Sequence, residues 1–344
     1  MALTGDSSAA RRCLGVLGCV VLAACTVGPD YEPPEPFVPD AWSTAVAAEV
    51  TQTDSPLETW WLAFNDPVLN GLVDRAAKSN RSLQVAMSRI RESRALLGIA
   101  GGGYKPDVAV DAAYSRSQPS DNGVNPPPPG GFEAIDLYSA GIGVSWEIDV
   151  FGRVRRSVEA ARAGVDASVE DYRDVVVILL ADVAAGYVDA RTLQSRLSYA
   201  RANVEAQRDT LQLTIDRFSA GLTSARDVAQ AESNLANSEA AIPLLEASLE
   251  AVLNRLAVLL GEAPGSVHAE LATVKEIPHP EDRVTLGLPA ELLRRRPDVR
   301  RAERLLASQT ALVGVARADL YPTFSLTGAI GLESTESGAL VESE

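Results

Sequence analysis

The sequence predicts a mainly α protein carrying membrane β-strands, built from long antiparallel helical hairpins and from an internal repeat of helix and strand. Three observations predict it. A proline-free stretch from about Val154 to Phe218 carries apolar residues three and four apart. The segment from Tyr138 to Val150 alternates apolar and small or charged residues with period two. A shift of 216 residues superimposes Ala86 on Ala302, Ala95 on Ala311, Leu96 on Leu312, Gly98 on Gly314, Ala100 on Ala316 and Pro106 on Pro322.

The chain has 344 residues, 46% apolar content and only 5% aromatics. That balance suits long helices and is thin in the large rings that fill compact β cores. A formal net charge of −15 argues against nucleic acid as a partner, since phosphate contact needs an excess of Lys and Arg. All three cysteines, Cys13, Cys19 and Cys25, fall within the first 25 residues, which points to processing rather than redox chemistry. Arg11 and Arg12 precede an apolar run from Cys13 to Ala24 that is too short for a membrane span of about 20 residues and fits a secretory signal. The run ends Leu22-Ala23-Ala24-Cys25, which resembles the bacterial lipobox. Residues 1–24 are therefore expected to be a lipoprotein signal peptide. The lipobox implies diacylglycerol and an N-acyl chain on Cys25, the lipidation site, and Thr26 in place of Asp favours the outer membrane.

Residues 25–65 are expected to be a lipid-anchored, Pro-rich tether, because Pro29, Pro33, Pro34, Pro36 and Pro39 forbid helix and favour an extended chain. Asp66-Pro67 supplies an N-cap and a proline at the first helical position, opening a helix expected to run to about Ala100, with Gly101-Gly102-Gly103 as its stop. A β-hairpin is expected over 107–150, interrupted by the loop Pro126-Pro127-Pro128-Pro129-Gly130-Gly131. Its second strand sets Tyr138, Ala140, Ile142, Val144, Trp146, Ile148 and Val150 on one face. That run is long enough for a transmembrane strand of about 9–11 residues, so Tyr138, Ile142, Val144, Trp146 and Ile148 are candidate lipid-facing residues.

A long helical hairpin is expected over 154–261. Leu193, Leu197, Ala200, Val204, Gln207, Leu211, Ile215 and Phe218 form the seam of its first arm. Val228, Ala231, Leu235, Ser238, Ile242, Leu245, Leu249, Val252, Leu256 and Leu259 form that of the second, with a kink expected at Pro243. A Pro- and Gly-containing connector follows. Residues 66–290 thus form a first repeat unit, and residues 291–344 begin a second that stops in its first strand.

These parts, in this order, resemble the TolC-like outer-membrane efflux proteins, in particular their NodT-type lipoprotein branch. The matching stretches are Leu22 to Cys25, Trp60-Trp61 with Phe64 and Asp66-Pro67, Ser145 to Arg153, Arg217 to Val228, and Arg295-Arg296-Pro297-Asp298 with Ala302-Glu303. The resemblance implies a homotrimer in which each protomer gives four strands to a twelve-stranded barrel and two helical hairpins to an α-barrel tunnel. It implies a passive conduit for small molecules in the outer membrane, extending into the periplasm and gated at its periplasmic tip. Its partners would be a periplasmic adaptor (membrane fusion protein), an inner-membrane pump of the RND type and outer-membrane lipid. Gly221, Leu222, Thr223, Ser224 and Asp227 resemble the tip that contacts the adaptor. Family members continue for roughly another hundred residues, so a truncated product or an incomplete record is expected, and a chain ending at Glu344 is expected not to conduct. A type I secretion channel and a periplasmic adaptor-like scaffold are the other readings.

Little in the sequence supports an enzyme or a cofactor. His268 and His279 both lie in the connector, and no cysteine follows Cys25. Gly101-Gly102-Gly103 lacks the strand-glycine-helix context of a phosphate loop. Arg294, Arg295, Arg296, Arg300 and Arg301 are interspersed with acids and read as a salt-bridged helix start, while Glu170, Asp171 and Asp174 read as ordinary helix-surface carboxylates.

Overall fold

The computed structural model describes residues 26–34, 57–120, 122–124, 127–279 and 293–340. The signal segment, Cys25, most of the Pro-rich tether and residues 280–292 lie outside the described residues. A short 3-10 helix at Leu57–Phe64 precedes α1 (Pro67–Ser79) and α2 (Arg81–Gly102). Then come β1 (Asp107–Ser117), β2 (Ile135–Ile148), α3 (Arg153–Ser219) and α4 (Ala225–Leu259). The four-residue α5 (His268–Leu271), α6 (Pro297–Ala318) and β3 (Phe324–Ser334) follow. The chain divides into two units: residues 1–33, 92–166 and 303–344, and residues 34–91 and 167–302.

In the second of these, α1 begins where Asp66 accepts the backbone N–H of Val68 (2.8 Å) ahead of Pro67, an N-cap with proline at N1. The single helix expected from Pro67 to about Ala100 is instead two, broken at Asn80. Asn80 takes an extended backbone, and its N–H closes α1 on the Ala76 carbonyl. Its Oδ1 accepts the N–H of Leu83 (3.1 Å) to start α2, and its Nδ2 donates to the Leu259 carbonyl (2.8 Å) at the end of α4. Three helix-end groups are met by one buried residue, two of them by its side-chain amide, which offsets the interrupted helix. Leu69, Leu72, Val73 and Ala76 of α1 pack with Leu179, Leu180, Val183, Tyr187, Leu253, Leu256, Leu260, Val267 and Leu271 into one core.

Helix α3 runs unbroken for 67 residues, about 100 Å at ~1.5 Å per residue, and α4 continues through Pro243. Along the hairpin seam Leu197, Ala200, Val204, Gln207 and Leu211 of α3 and Val228, Ala231, Leu235, Ser238, Ile242 and Leu245 of α4 are buried or half-buried, and Arg201–Glu246 and Arg208–Glu239 (2.8 Å each) bridge the arms. Beyond Leu211 the expectation fails: Thr214 is half-buried, while Ile215 (37% exposed) and Phe218 (46%) face outward. Strict 3-4 alternation from Leu197 selects Thr214 and then Phe218, so Ile215 is off the seam by count, whereas Phe218 keeps a seam position but is exposed beside the turn. The arginine-rich start of α6 is salt-bridged, with Arg296 on Asp298 (2.6 Å), Arg300 on Glu170 (2.9 Å) and Arg301 on Asp171 (2.8 Å).

In the first unit β2 lies between β1 and β3, antiparallel to both. Small residues line the helix contact beside the sheet: Ala160 and Ala163 of α3 and Ala307, Ala311, Gly314 and Ala318 of α6 are buried, and Ser308 Oγ donates to the Ala160 carbonyl (3.0 Å). The repeat is visible in the elements. Helices α2 and α6 start at 81 and 297 and end at 102 and 318, an offset of 216 at both ends, and each leads into a strand.

Candidate functional site: an apolar sheet face and a capped helical tip

Directly paired residues in adjacent strands project from the same side of a sheet. The register aligns Val110, Ile142 and Ile330 in one row, Ala112, Ala140 and Leu332 in the next, and Trp146 beside Leu326 and Ile148 beside Phe324. Tyr138, Ile142, Val144, Trp146 and Ile148 therefore share one face, and β1 and β3 extend it with Val108, Val110, Tyr114, Phe324, Leu326, Ile330 and Leu332. Val110 (77%) and Ile330 (81%) are among the most exposed large apolar residues of the chain. The opposite face carries Asp107, Asp111, Ser115, Ser139, Gly141, Gly143, Ser145, Thr327 and Glu333. Sequence reading found the alternation of β2 and of Phe324, Leu326, Ile330 and Leu332 and expected a hairpin over 107–150. It named lipid-facing residues in β2 alone, because β1 mixes Ala, Asp and Ser into its alternation and only the register reveals the shared face.

Aromatic residues close this face at both ends. Tyr114 and Tyr138 pair at 4.9 Å between centroids, and the Tyr114 hydroxyl donates to Asp136 (2.8 Å). At the helix-proximal end Trp146 Nε1 donates to the Tyr104 carbonyl (3.2 Å), and Phe151 stacks on Tyr321 at 4.7 Å. Tyr138 and Trp146 are eight residues apart, about 27 Å at ~3.4 Å per residue, close to the ~25 Å apolar band of a membrane β-sheet with its two aromatic girdles. Past Trp146 the opposite side of the strand end carries carboxylates: Glu147 accepts Arg153 through both oxygens (2.9 and 2.6 Å), and Asp149 accepts the N–H groups of Val154 and Arg155 at the start of α3. Asp149 thereby meets two of the orphan donors that open the 67-residue helix. Among the described residues no helix is long and apolar enough to cross a membrane.

The far end of the α3–α4 hairpin is a second candidate site. Helix α3 ends in a Schellman turn, with Leu222 N–H on the Arg217 carbonyl (2.8 Å) and Gly221 N–H on that of Phe218 (2.9 Å). Gly221 has φ 75°, the left-handed region that a side chain resists. Helix α4 opens on Asp227, one of whose oxygens accepts Thr223 Oγ1 (2.5 Å), Ser224 Oγ (2.8 Å) and Ser224 N–H (3.0 Å). These bonds, the threonine hydroxyl foremost, pull the Asp227 carboxyl down to about 2. The result is a rigid turn that leaves Leu222 exposed at 70%.

Sequence reasoning missed a buried polar chain in the core of the second unit. Arg191, 1% exposed, donates to Tyr187 Oη (3.2 Å), Gln194 (2.8 Å) and the Thr273 carbonyl (2.7 Å), and Tyr187 in turn donates to the N-cap Asp66 (2.5 Å). Burial alone would raise the Asp66 carboxyl, but the Tyr187 hydroxyl and the Val68 and Leu69 amides outweigh it and hold it below its ordinary value. Glu170 and Asp171 are engaged by arginines, and among the described residues no group of three or more His, Cys, Asp or Glu could hold a metal ion. Cys25 lies outside the described residues.

One sheet with an apolar, aromatic-edged face and, following it in sequence, a long helical hairpin with a capped turn are the features that define the class of this protein. Residues 72–262 match the family model for outer membrane efflux protein, and the chain belongs to that family. It is 34% identical over 316 residues to nodulation protein T of Rhizobium leguminosarum bv. trifolii, covering 90% of this chain and 65% of that protein. It is 32% identical over 327 residues to the pyoverdine export outer membrane protein OpmQ of Pseudomonas aeruginosa, covering 92% of this chain and 66% of that one. The chain thus spans just under two thirds of the length of these relatives. Among solved structures the outer-membrane channel OprN superimposes with a TM-score of 0.81 at 36% identity, covering 93% of this chain and 70% of that one. At the level of the family these are channels rather than enzymes.

Proposed function

We propose that this chain is the outer-membrane channel component of a tripartite efflux system, a passive conduit for small molecules that catalyses no reaction. The observation that carries this reading is the apolar face of about 27 Å between two aromatic layers, leading at its inner end into the 67-residue helix α3. Tyr138, Ile142, Val144, Trp146 and Ile148 face lipid, and the small and polar opposite face borders water. Unpaired backbone groups at the outer edges of β1 and β3 are untenable in hydrocarbon, so these strands belong to a closed barrel, in the family's manner one of twelve strands with four from each protomer of a trimer. The rigid turn at Gly221, Leu222, Thr223, Ser224 and Asp227 is the periplasmic tip that meets an adaptor, and an inner-membrane pump of the RND type supplies the energy. Cys25 carries the acyl anchor, the only prosthetic group required. Kinship with a pyoverdine exporter supports small-molecule cargo.

The test is expression in a Gram-negative host lacking its own channel. Heat-modifiable oligomers in the outer-membrane fraction are expected of this chain, and ion conductance in planar bilayers with restored drug export is expected once it is extended by the remaining strand and hairpin of the family. Recovery of the protein from the soluble periplasm as a monomer would overturn the reading.

A further inference from the structure

The segment just after Cys25, read from sequence as the start of a tether, makes unusually specific contacts. Val27 N–H donates to the Phe151 carbonyl (3.1 Å). Arg156 of α3, its side chain 5% exposed, spends every nitrogen on the surroundings: Nε on the Val27 carbonyl (3.3 Å), Nη1 on Glu159 (2.8 Å), and Nη2 on the Gly28 carbonyl (3.3 Å) and Asp30 (2.7 Å). Gly28, at φ 101°, lies so close to α6 that an added Cβ would stand 2.4 Å from the Gly314 Cα, and a Cβ on Gly314 would meet the Arg156 side chain at 2.8 Å. The Tyr31 hydroxyl donates to Glu303 (3.3 Å), and its ring lies under the Arg304 guanidinium (5.9 Å).

Gly152, at φ 84°, lies so close to this segment that an added Cβ would stand 2.7 Å from the Thr26 Cγ2. We propose that Thr26–Tyr31 is a latch whose socket, Arg156 with Gly152 and Gly314, is complete only once α6 has packed on α3, so that the N-terminal segment closes last and locks the two repeats together. The physical argument is reciprocal dependence. With the latch undocked, Arg156 keeps only Glu159 as a partner, and a buried guanidinium short of acceptors is costly. With α6 absent, the surface that receives Gly28 and Tyr31 does not exist. Arg156 is the positioning residue: its planar fork reaches two carbonyls and two carboxylates in different directions, which one ammonium cannot do.

Hydrogen exchange read by mass spectrometry on the full chain, exported with its own leader and purified from outer membranes, tests this. The amide of Val27 is expected to be protected, and Arg156→Ala to speed its exchange by about tenfold or more while peptides over Gly221–Asp227 are unchanged. Arg156→Lys should fall between. Asp30→Ala alters an exposed residue, so it keeps the test open if Arg156→Ala fails to accumulate, and it is expected to loosen the latch partially. Gly314→Ala changes no latch residue and is expected to free the latch as well. Unchanged Val27 exchange in both Arg156→Ala and Asp30→Ala overturns the socket, and unchanged exchange in Gly314→Ala overturns the dependence on α6. None of these readouts depends on conduction, so failure of the channel reading and failure of the latch are separable.

Discussion

Ile142 occupies the middle of the central strand, four residues from Tyr138 and four from Trp146, about 14 Å from each aromatic layer at ~3.4 Å per residue. Its row neighbours Val110 and Ile330 are apolar, so no acidic partner stands beside it. Replacing Ile142 by Arg therefore puts a charge near the bilayer midplane. Position-dependent costs for membrane sheets place that at ~2–4 kcal/mol. At ~1.4 kcal/mol per factor of ten, the folding equilibrium should shift by about 30- to 1,000-fold. The matched control is Ala329→Arg, which lies in the adjacent row on the opposite face, paired with Gly143. Facing water, it should change stability by no more than about 0.5 kcal/mol. Urea unfolding in lipid vesicles, followed by the heat-modifiable band, reads both. Equal losses in the two variants, or none in Ile142→Arg, would refute a lipid-facing assignment and return the sheet to a soluble packing role.

Three other perturbations test the rest of the architecture. Leu256→Ala, at a fully buried position in the core between α1, α3 and α4, should cost ~2–5 kcal/mol by equilibrium denaturation. Tyr187→Phe removes the hydroxyl linking Arg191 to Asp66 and should cost ~1–3 kcal/mol. It should also move the Asp66 carboxyl back up: because Asp66 is depressed on folding, its contribution is present above its ordinary 3.8 and is lost as pH falls through the lower folded value, so the variant loses it at higher pH than wild type. At the tip, the same sign applies to Asp227. Carbon-detected NMR should find its titration near 2, with tip order lost only as pH falls from 3.8 towards that value, and Thr223→Val should raise the midpoint.

What could be read from the sequence was whatever obeys a period. The heptad seams of α3 and α4, the alternation in β2 and the 216-residue repeat follow from spacings set by backbone geometry. The break at Asn80 could not, because a single Asn between Ser79 and Arg81 carries no Gly or Pro signal and acts through a carbonyl of α4 far along the chain. Ile215 misled for the opposite reason: its hydrophobicity suggested a seam position that the heptad count gives to Thr214, while Phe218 sits on the count yet is exposed beside the turn. The polar chain through Asp66, Tyr187 and Arg191 and the socket around Arg156 are long-range assemblies. Each of their residues, taken alone in sequence, looks like an ordinary helical or capping residue.

The joints between helix and strand act as parity counters. Gly103–Pro106 links α2 to β1, and Asp319–Pro322 holds the equivalent place 216 residues on, so even-numbered positions of both strands reach the same side of the sheet. Adding or removing one residue in either joint inverts the strand it feeds, turning Asp107 and Asp111, or Thr327 and Glu333, onto the apolar face, whereas a change of two preserves the orientation. Drift in the length of these joints is therefore expected to be quantised in pairs, and a frame-preserving single-codon insertion there is a far graver lesion than its size suggests.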